Sequence, residues 1–355
     1  MDFKASLAEF KKKIDKEIEI FLDGKLAEIS QKDEWTGKGM SYVKKLVLSG
    51  GKRIRPALMY WGYKAAGGTD DEKILKACVG IELVHIFLLI HDDIIDLSDR
   101  RHNLETVNFW AAKQGEKMFG SENARRFGDS MAIVFGDIAY NLGIQAITEA
   151  GLDAQKTLDA LNYLQSVVTT TCVGEAQDVM IEYSSEANEN EIVKMLINKT
   201  ARYTFEGPLH LGAKLAGADD AVLKSFADYS VPVGIAFQIQ DDILGIFGSE
   251  EKLGKSVASD ITEGKKTVLT AKVFSDGNMF QKERLRDLLG KKDISGEEIN
   301  EFQQIVMDIG ALKYSKQAAK DYAEQGKRSL EKAPIGQEAK DFLQSMAEYI
   351  VNREV

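Results

Sequence analysis

Helix-compatible sequence runs through this chain almost without interruption, because only four prolines (Pro56, Pro208, Pro232 and Pro334) occur among 355 residues. Proline removes a backbone donor and clashes with the preceding turn, so its scarcity permits long helices nearly everywhere. Apolar residues recur at helical spacing rather than in alternation. Between Asp2 and Ile29, the residues Phe3, Leu7, Phe10, Ile14, Ile18 and Leu22 form one stripe. From about Ile74 to Asp96 the chain is apolar nearly all round, as a central helix must be. Further helices are predicted over 129–149, 156–183, 190–216, 220–247, 266–274, 299–307 and 311–331. No alternating run is long enough for a sheet, so the expected fold class is all-α. The polar and glycine-bearing breaks, such as "GGTDDE" and "SSEANENE", do not read as linkers, and a single domain over 1–355 is expected.

Composition narrows the class of partner. A formal net charge of −10 argues against a broad nucleic-acid surface, which needs a basic face. It leaves room for a small anionic substrate held by locally gathered basic residues. Cys78 and Cys172 lack metal-site spacing and suggest a reduced, cytoplasmic protein. The N-terminus alternates charge with apolar residues and has no apolar signal core. The longest apolar run, Ile86 to Ile90, is far too short to span a membrane.

The chemistry-bearing residues lie at the ends of two apolar helical runs. "VHIFLLIHDDIID" (Val84 to Asp96) carries Asp92, Asp93 and Asp96, and "GIAFQIQDDILG" (Gly234 to Gly245) repeats the pattern with Asp241 and Asp242. On a helix, Asp92 and Asp96 share a face one turn apart, with Asp93 displaced by about 100°. Like charges at that spacing repel, so something positive should meet them. Oxygen-only ligands suit Mg²⁺, which one or two carboxylates hold together with substrate phosphates. A solvated acidic helix end is the bland reading of one such motif; the second copy weakens it. Basic groups sit in three places. "GGKRIRP" (Gly50 to Pro56) brings Lys52, Arg53 and Arg55; "NKTARYTFEGP" brings Lys199 and Thr200; "LGKSVASDITEGKK" brings Lys255, Lys265 and Lys266. Two acidic sites with several separate basic ones describe a pocket for more than one phosphate group.

In type and order these motifs resemble those of the trans-isoprenyl diphosphate synthases, the polyprenyl synthetase family, from about Gly50 to Lys266. The first aspartate-rich motif of that family matches Asp92, Asp93 and Asp96. For the arginines behind it two registers are open. Aligning on Thr106 places Arg101 and His102 under the family's arginine pair, whereas a one-residue deletion keeps Arg100 and Arg101. The second motif matches Phe237, Gln238, Asp241 and Asp242, with Gly245 where many members have aspartate. The isopentenyl diphosphate clamp resembles Lys52, Arg55 and His85, and the allylic-side pair resembles Lys199 and Thr200. Lys255 and Lys265 resemble the lysines that follow the second motif. Glu175 stands where glutamine is common, and Asp178 fits an aspartate facing the cavity.

The resemblance implies a bundle of mostly antiparallel helices around a deep cavity, in a homodimer. It also implies three Mg²⁺ per active site and head-to-tail condensation of isopentenyl diphosphate with an allylic prenyl diphosphate. Product length is expected to depend on Phe87 and Leu88, five and four residues before Asp92. Bulk at one of the two points to geranylgeranyl diphosphate, ahead of farnesyl diphosphate; core packing is the bland reading of Phe87. Two other classes compete. A terpene cyclase also carries DDxxD but typically uses an Asn/Ser/Glu metal motif and has no clamp for a second diphosphate. A non-catalytic subunit of a heteromeric synthase usually loses an aspartate motif.

Overall fold

The computed structural model describes residues 3–184, 187–248 and 259–353, and apart from turns and one two-residue hairpin these are helical. The all-α expectation holds. The chain forms two compact units, one built from residues up to Leu161 with Gly212–Gly217, the other from Asn162–Leu211 and from Ala218 onward.

The first unit contains α1 (Phe3–Lys32), α2 (Glu34–Ser49), α3 (Ile54–Ala65), α4 (Asp71–Ile95), β1 (Arg100–Arg101), β2 (Leu104–Glu105), α5 (Val107–Phe119), α6 (Ala124–Glu149) and the start of α7 (Ala154–Tyr183). The predicted stripe of α1 is buried at Phe3, Leu7, Ile14, Ile18 and Leu22, with Phe10 only half-buried. The central helix α4 packs most extensively on α6. Glycines bring the two together: a Cβ on Gly80 would lie 2.4 Å from the Gly143 carbonyl, and one on Gly143 would lie 2.8 Å from the Gly80 carbonyl. Both helices are long and apolar enough to cross a membrane by composition, a property their separate apolar runs do not reveal. In α4 that apolarity is spent on the core, since Ile74, Ala77, Val79, Ile81, Leu83, Val84 and Ile90 are buried. The helices α2, α3 and α5 escape the periodicity reading. In α2, Gly37 is packed on Ser30 and Gly39 on the Phe135 ring.

The second unit continues α7 and adds α8 (Glu189–Leu196), a π-helical segment (Ile197–Glu206), α9 (Gly207–Ala216) as far as Leu211, and α10 (Asp220–Phe247). It continues with α11 (Ser259–Thr262), α12 (Val268–Asp276), α13 (Met279–Leu288), α14 (Gly296–Asp308), α15 (Ala311–Ser329) and α16 (Gln337–Val351). The single helix expected over 190–216 is thus three pieces. The start of α8 is fixed by a capping box, Asn188 accepting from Glu191 N and Glu191 accepting from Asn188 N. The π turn lies close to backbone on both sides: a Cβ on Gly174 would fall 2.2 Å from Lys199 N, and one on Gly234 would fall 2.4 Å from Ala201 Cα. One core cluster joins Ile192, Leu196, Ile239, Ile243, Ile246, Ile261, Leu269 and Phe302.

Candidate active site

Each acidic motif closes an apolar helix whose packing fixes it. In the first unit α4 ends at Ile95; Asp93 is fully buried, and Asp92 and Asp96 are half-buried. The chain then turns through Leu97 (φ 54°) into the hairpin, whose tip residues His102 and Asn103 have φ of 51° and 63°. Thr106 anchors this turn, donating from Oγ1 to the Ser98 carbonyl at 2.8 Å and from N to the Asp99 carbonyl at 3.0 Å.

The hairpin decides which basic residue meets the acids. Arg101 Nε donates to Asp93 Oδ1 at 2.8 Å; its Nη2 lies 2.7 Å from the same oxygen and 3.4 Å from Asp92 Oδ2. Arg100 turns out to solvent and donates to the Asn103 carbonyl at 3.0 Å. His102 lies against Gly50, where a Cβ would be 2.7 Å from the imidazole Cγ. Strands alternate faces, so one hairpin position separates Arg101 from Arg100. Burial, and secondarily the charges of Asp92 and Asp96, push the Asp93 carboxyl up to about 6, against the opposing pull of Arg101. Asp93 Oδ2 is buried without a hydrogen-bond partner among the described residues.

The basic loop before α3 divides by residue. Lys52 is exposed. Arg53, with φ 55°, points inward and is 3% exposed. Its Nε lies 2.6 Å from Asp15, its Nη1 2.6 Å from Glu82, and its Nη2 2.6 Å from the Val47 carbonyl, so it ties α1, α2 and α4 to the start of α3. Arg55 Nη1 is 3.0 Å from His85 Nε2. A guanidinium can only donate, so Nε2 accepts and the imidazole proton sits on Nδ1. Burial and then the neighbouring Arg55 charge hold the His85 pKa well below its usual value, which keeps this ring neutral. Phe87 and Leu88 are half-buried; the Phe87 ring meets Tyr140 of α6 at 5.1 Å and His91 at 4.7 Å.

In the second unit a polar chain runs along α10. Thr200 Oγ1 donates to Gln238 Oε1 at 3.0 Å, and Gln238 Nε2 donates to Asp242 Oδ1 at 2.9 Å. Asp242 is buried. Burial and the charges of Asp260, Asp241 and Asp178 push its carboxyl up to about 8, while the Gln238 hydrogen bond pulls the other way. Asp241 meets Arg353 at 2.5 Å, and the Arg353 guanidinium also lies 4.7 Å from the Phe237 ring centroid. Lys199 Nζ reaches Asp178 at 2.6 Å and Glu175 at 2.8 Å, so Glu175 is an ion-pair partner of Lys199. Lys265 Nζ is 2.8 Å from Glu263, and buried Lys266 donates to the Glu182 carbonyl at 2.7 Å. Lys255 lies outside the described residues. Sequence reasoning missed Arg353 and Asp260. No motif links Arg353 to α10, whereas the glycine at 245 was a usable signal for Asp260.

The donors fit Mg²⁺. They are oxygens only; Asp93 has an unmatched buried oxygen, and positive charge already meets each acidic end, from Arg101 on Asp92 and Asp93 and from Arg353 on Asp241. No group of three or more His, Cys, Asp or Glu among the described residues forms a self-sufficient metal cage. Mg²⁺ needs none, because substrate phosphates and water complete its shell.

Comparison with known proteins agrees with this chemistry. Residues 39–306 match the polyprenyl synthetase family. The chain is 33% identical to the geranylgeranyl diphosphate synthase of Saccharolobus solfataricus, over 87% of this chain and 88% of that one. It is 30% identical to the geranylfarnesyl diphosphate synthase of Natronomonas pharaonis, over 87% and 88%. Among solved structures, geranylgeranyl pyrophosphate synthase from Corynebacterium glutamicum, complexed with isoprenyl diphosphate and magnesium, superposes with a TM-score of 0.93 at 29% identity, covering 98% and 99% of the two chains. The chain therefore belongs to the polyprenyl synthetase family of prenyltransferases.

Proposed function

We propose that this protein condenses isopentenyl diphosphate head-to-tail with an allylic diphosphate to give all-trans geranylgeranyl diphosphate, using three Mg²⁺. The observation that carries the reading is the pair of buried carboxylates, Asp93 and Asp242, at the ends of two apolar helices, each inside a group of further acids. Carboxylates so placed await a cation.

The allylic C–O bond breaks, diphosphate departs, and the isopentenyl double bond forms the new C–C bond at the allylic carbon. A proton then leaves to the departing diphosphate. Mg²⁺, when bound, would supply positive charge that stabilises the leaving diphosphate. Asp92, Asp93 and Asp96, with Asp241 and Asp242, are the residues to hold it. Lys199 and Thr200 orient the allylic diphosphate; the Thr200 hydroxyl is fixed through Gln238, which also aligns Asp242. Arg55, Lys52 and neutral His85 bind the isopentenyl diphosphate, with Arg101 and His102 the nearer candidates of the hairpin and Arg100 the farther. Lys255 and Lys265 are assigned to the allylic side. Apolar side chains of α4 exclude water from the carbocation.

Phe87 limits the product. Its ring is backed by Tyr140, while Leu88 offers less bulk, which supports a C20 product ahead of C15. The whole chain acts as one synthase domain in a homodimer, a state supported by Ile133 and Val134 on α6, each 46% exposed, and Phe119 at 69%. Cys78 and Cys172 form no disulfide, in keeping with a reducing cytoplasm.

The decisive experiment incubates the purified protein and Mg²⁺ with radiolabelled isopentenyl diphosphate and C5, C10 or C15 primers, and sizes the products. Elongation ending at C20 is expected. Product formed from an allylic diphosphate alone would identify a cyclase, and no elongation would identify a non-catalytic subunit.

A further inference from the structure

We propose that Tyr42 of α2 is a positioning residue for the isopentenyl diphosphate site: its hydroxyl holds the β1–β2 hairpin in the register that turns Arg101 toward the first acidic motif. The inference rests on the prenyl-transfer reading above and deepens it.

The hairpin cannot hold itself. It pairs Arg100 with Glu105 and Arg101 with Leu104, and a ladder of two pairs is not stable alone in water. Its loop, His102 and Asn103, is left-handed at both positions, with φ of 51° and 63°. Asparagine tolerates that conformation and glycine favours it, whereas histidine gains nothing from it. Strain of this kind persists only where the surroundings impose it. A slip of one residue would exchange the faces of Arg100 and Arg101, so register is what must be held.

Tyr42 holds it from outside the loop. In an antiparallel pair, positions that exchange hydrogen bonds alternate with positions that do not. Thr106 N donates to the Asp99 carbonyl at 3.0 Å, so the next position along leaves the Glu105 carbonyl facing away from β1. Tyr42 Oη meets that carbonyl, donating at 2.9 Å across 63 residues of sequence. The ring is fixed in turn. It stacks on Trp110 of α5 at 4.6 Å with 8° between the planes, and Trp110 N donates to the Thr106 carbonyl at 2.9 Å. Met40, Val43, Leu46 and Val47 are buried and hold α2 to the core. Burial, and then the Glu105 charge, push the Tyr42 hydroxyl up to about 12, so it remains a donor near neutral pH. Tyr42 thus grips β2, and β1 carries Arg101 to within 2.7 Å of Asp93 and 3.4 Å of Asp92.

The test measures binding of isopentenyl diphosphate to the full chain with Mg²⁺ and no allylic substrate, by calorimetry. Tyr42→Phe removes the hydroxyl and keeps the ring on Trp110. It should weaken binding about threefold to tenfold, the worth of one neutral hydrogen bond. KM for isopentenyl diphosphate should rise by the same factor, with kcat and the allylic KM little changed. In an Arg101→Ala background, where no guanidinium is left to place, Tyr42→Phe should have no further effect. A loss of equal size in both backgrounds would identify a general loosening of the fold and overturn the proposal, as would wild-type affinity in Tyr42→Phe alone. Wild-type protein that neither binds isopentenyl diphosphate nor elongates would overturn the prenyl-transfer reading, and this inference with it.

Discussion

Arg53 begins α3 in a left-handed backbone conformation, with its guanidinium shared among Asp15, Glu82 and the Val47 carbonyl. Arg55, two residues later, points to neutral His85. The two should respond oppositely to removal. Arg53→Ala strands buried Glu82 and should cost on the order of 3–5 kcal/mol, measured by urea unfolding. Arg53→Lys should recover little, because one ammonium cannot meet three acceptors in the guanidinium's planar fork. Arg55→Ala should leave the unfolding midpoint nearly unchanged and raise KM for isopentenyl diphosphate about tenfold, as loss of one charged hydrogen bond implies. An effect confined to the allylic substrate would reverse the assignment. The basic loop was legible as a candidate phosphate-binding motif, but the different surroundings of its arginines were not. Those surroundings depend on a positive φ and on acids that arrive from α1 and α4, neither of which the loop encodes locally.

Among elements, α4 and α10 were the most legible, since strong apolar periodicity over a long segment survives any tertiary context. The π-helical segment was not, because its period departs from 3.6 only where neighbouring backbones leave room. Here those neighbours are Gly174 on α7 and Gly234 on α10, both distant in sequence from Lys199. The consequence falls in the candidate site: the π turn places Lys199 on Asp178 and Thr200 on Gln238. On α4, the Phe87 ring bears on Tyr140 of α6. Phe87→Ala should therefore lengthen the product by one or more C5 units, and adding Tyr140→Ala should lengthen it further. Chromatography of dephosphorylated products reads the outcome; an unchanged distribution in both variants would place the floor elsewhere. The ring is half-buried, so the stability loss should fall below the roughly 3–5 kcal/mol of a fully buried Phe→Ala change.

At the scale of the molecule, the acidic ends leave a signature in how stability depends on pH. A free aspartate titrates near ~3.9, whereas burial, with neighbouring acids adding to it, holds Asp93 at about 6 and Asp242 at about 8. Between the unfolded and folded values the native state carries more protons than the unfolded state, so metal-free stability must fall as pH rises. The contribution is complete below about pH 4 and is lost as the pH passes first the Asp93 value and then that of Asp242. A two-unit shift corresponds to about 3 kcal/mol, which in a chain of this length moves the melting temperature by several degrees. With EDTA, the melting temperature should therefore decline from pH 5 to pH 8.5. Mg²⁺ with inorganic diphosphate binds the deprotonated acids and should raise it more at pH 8.5 than at pH 5. Asp242→Asn removes the group with the higher value, so its metal-free decline should end near pH 6.5 and its melting temperature at pH 8.5 should exceed that of the wild type. The same variant should lose turnover by orders of magnitude, because the amide gives up the charge that holds the cation. Parallel melting curves for wild type and Asp242→Asn across this range would show that the carboxylate is not held protonated by its surroundings, and would remove the reason for expecting a cation there.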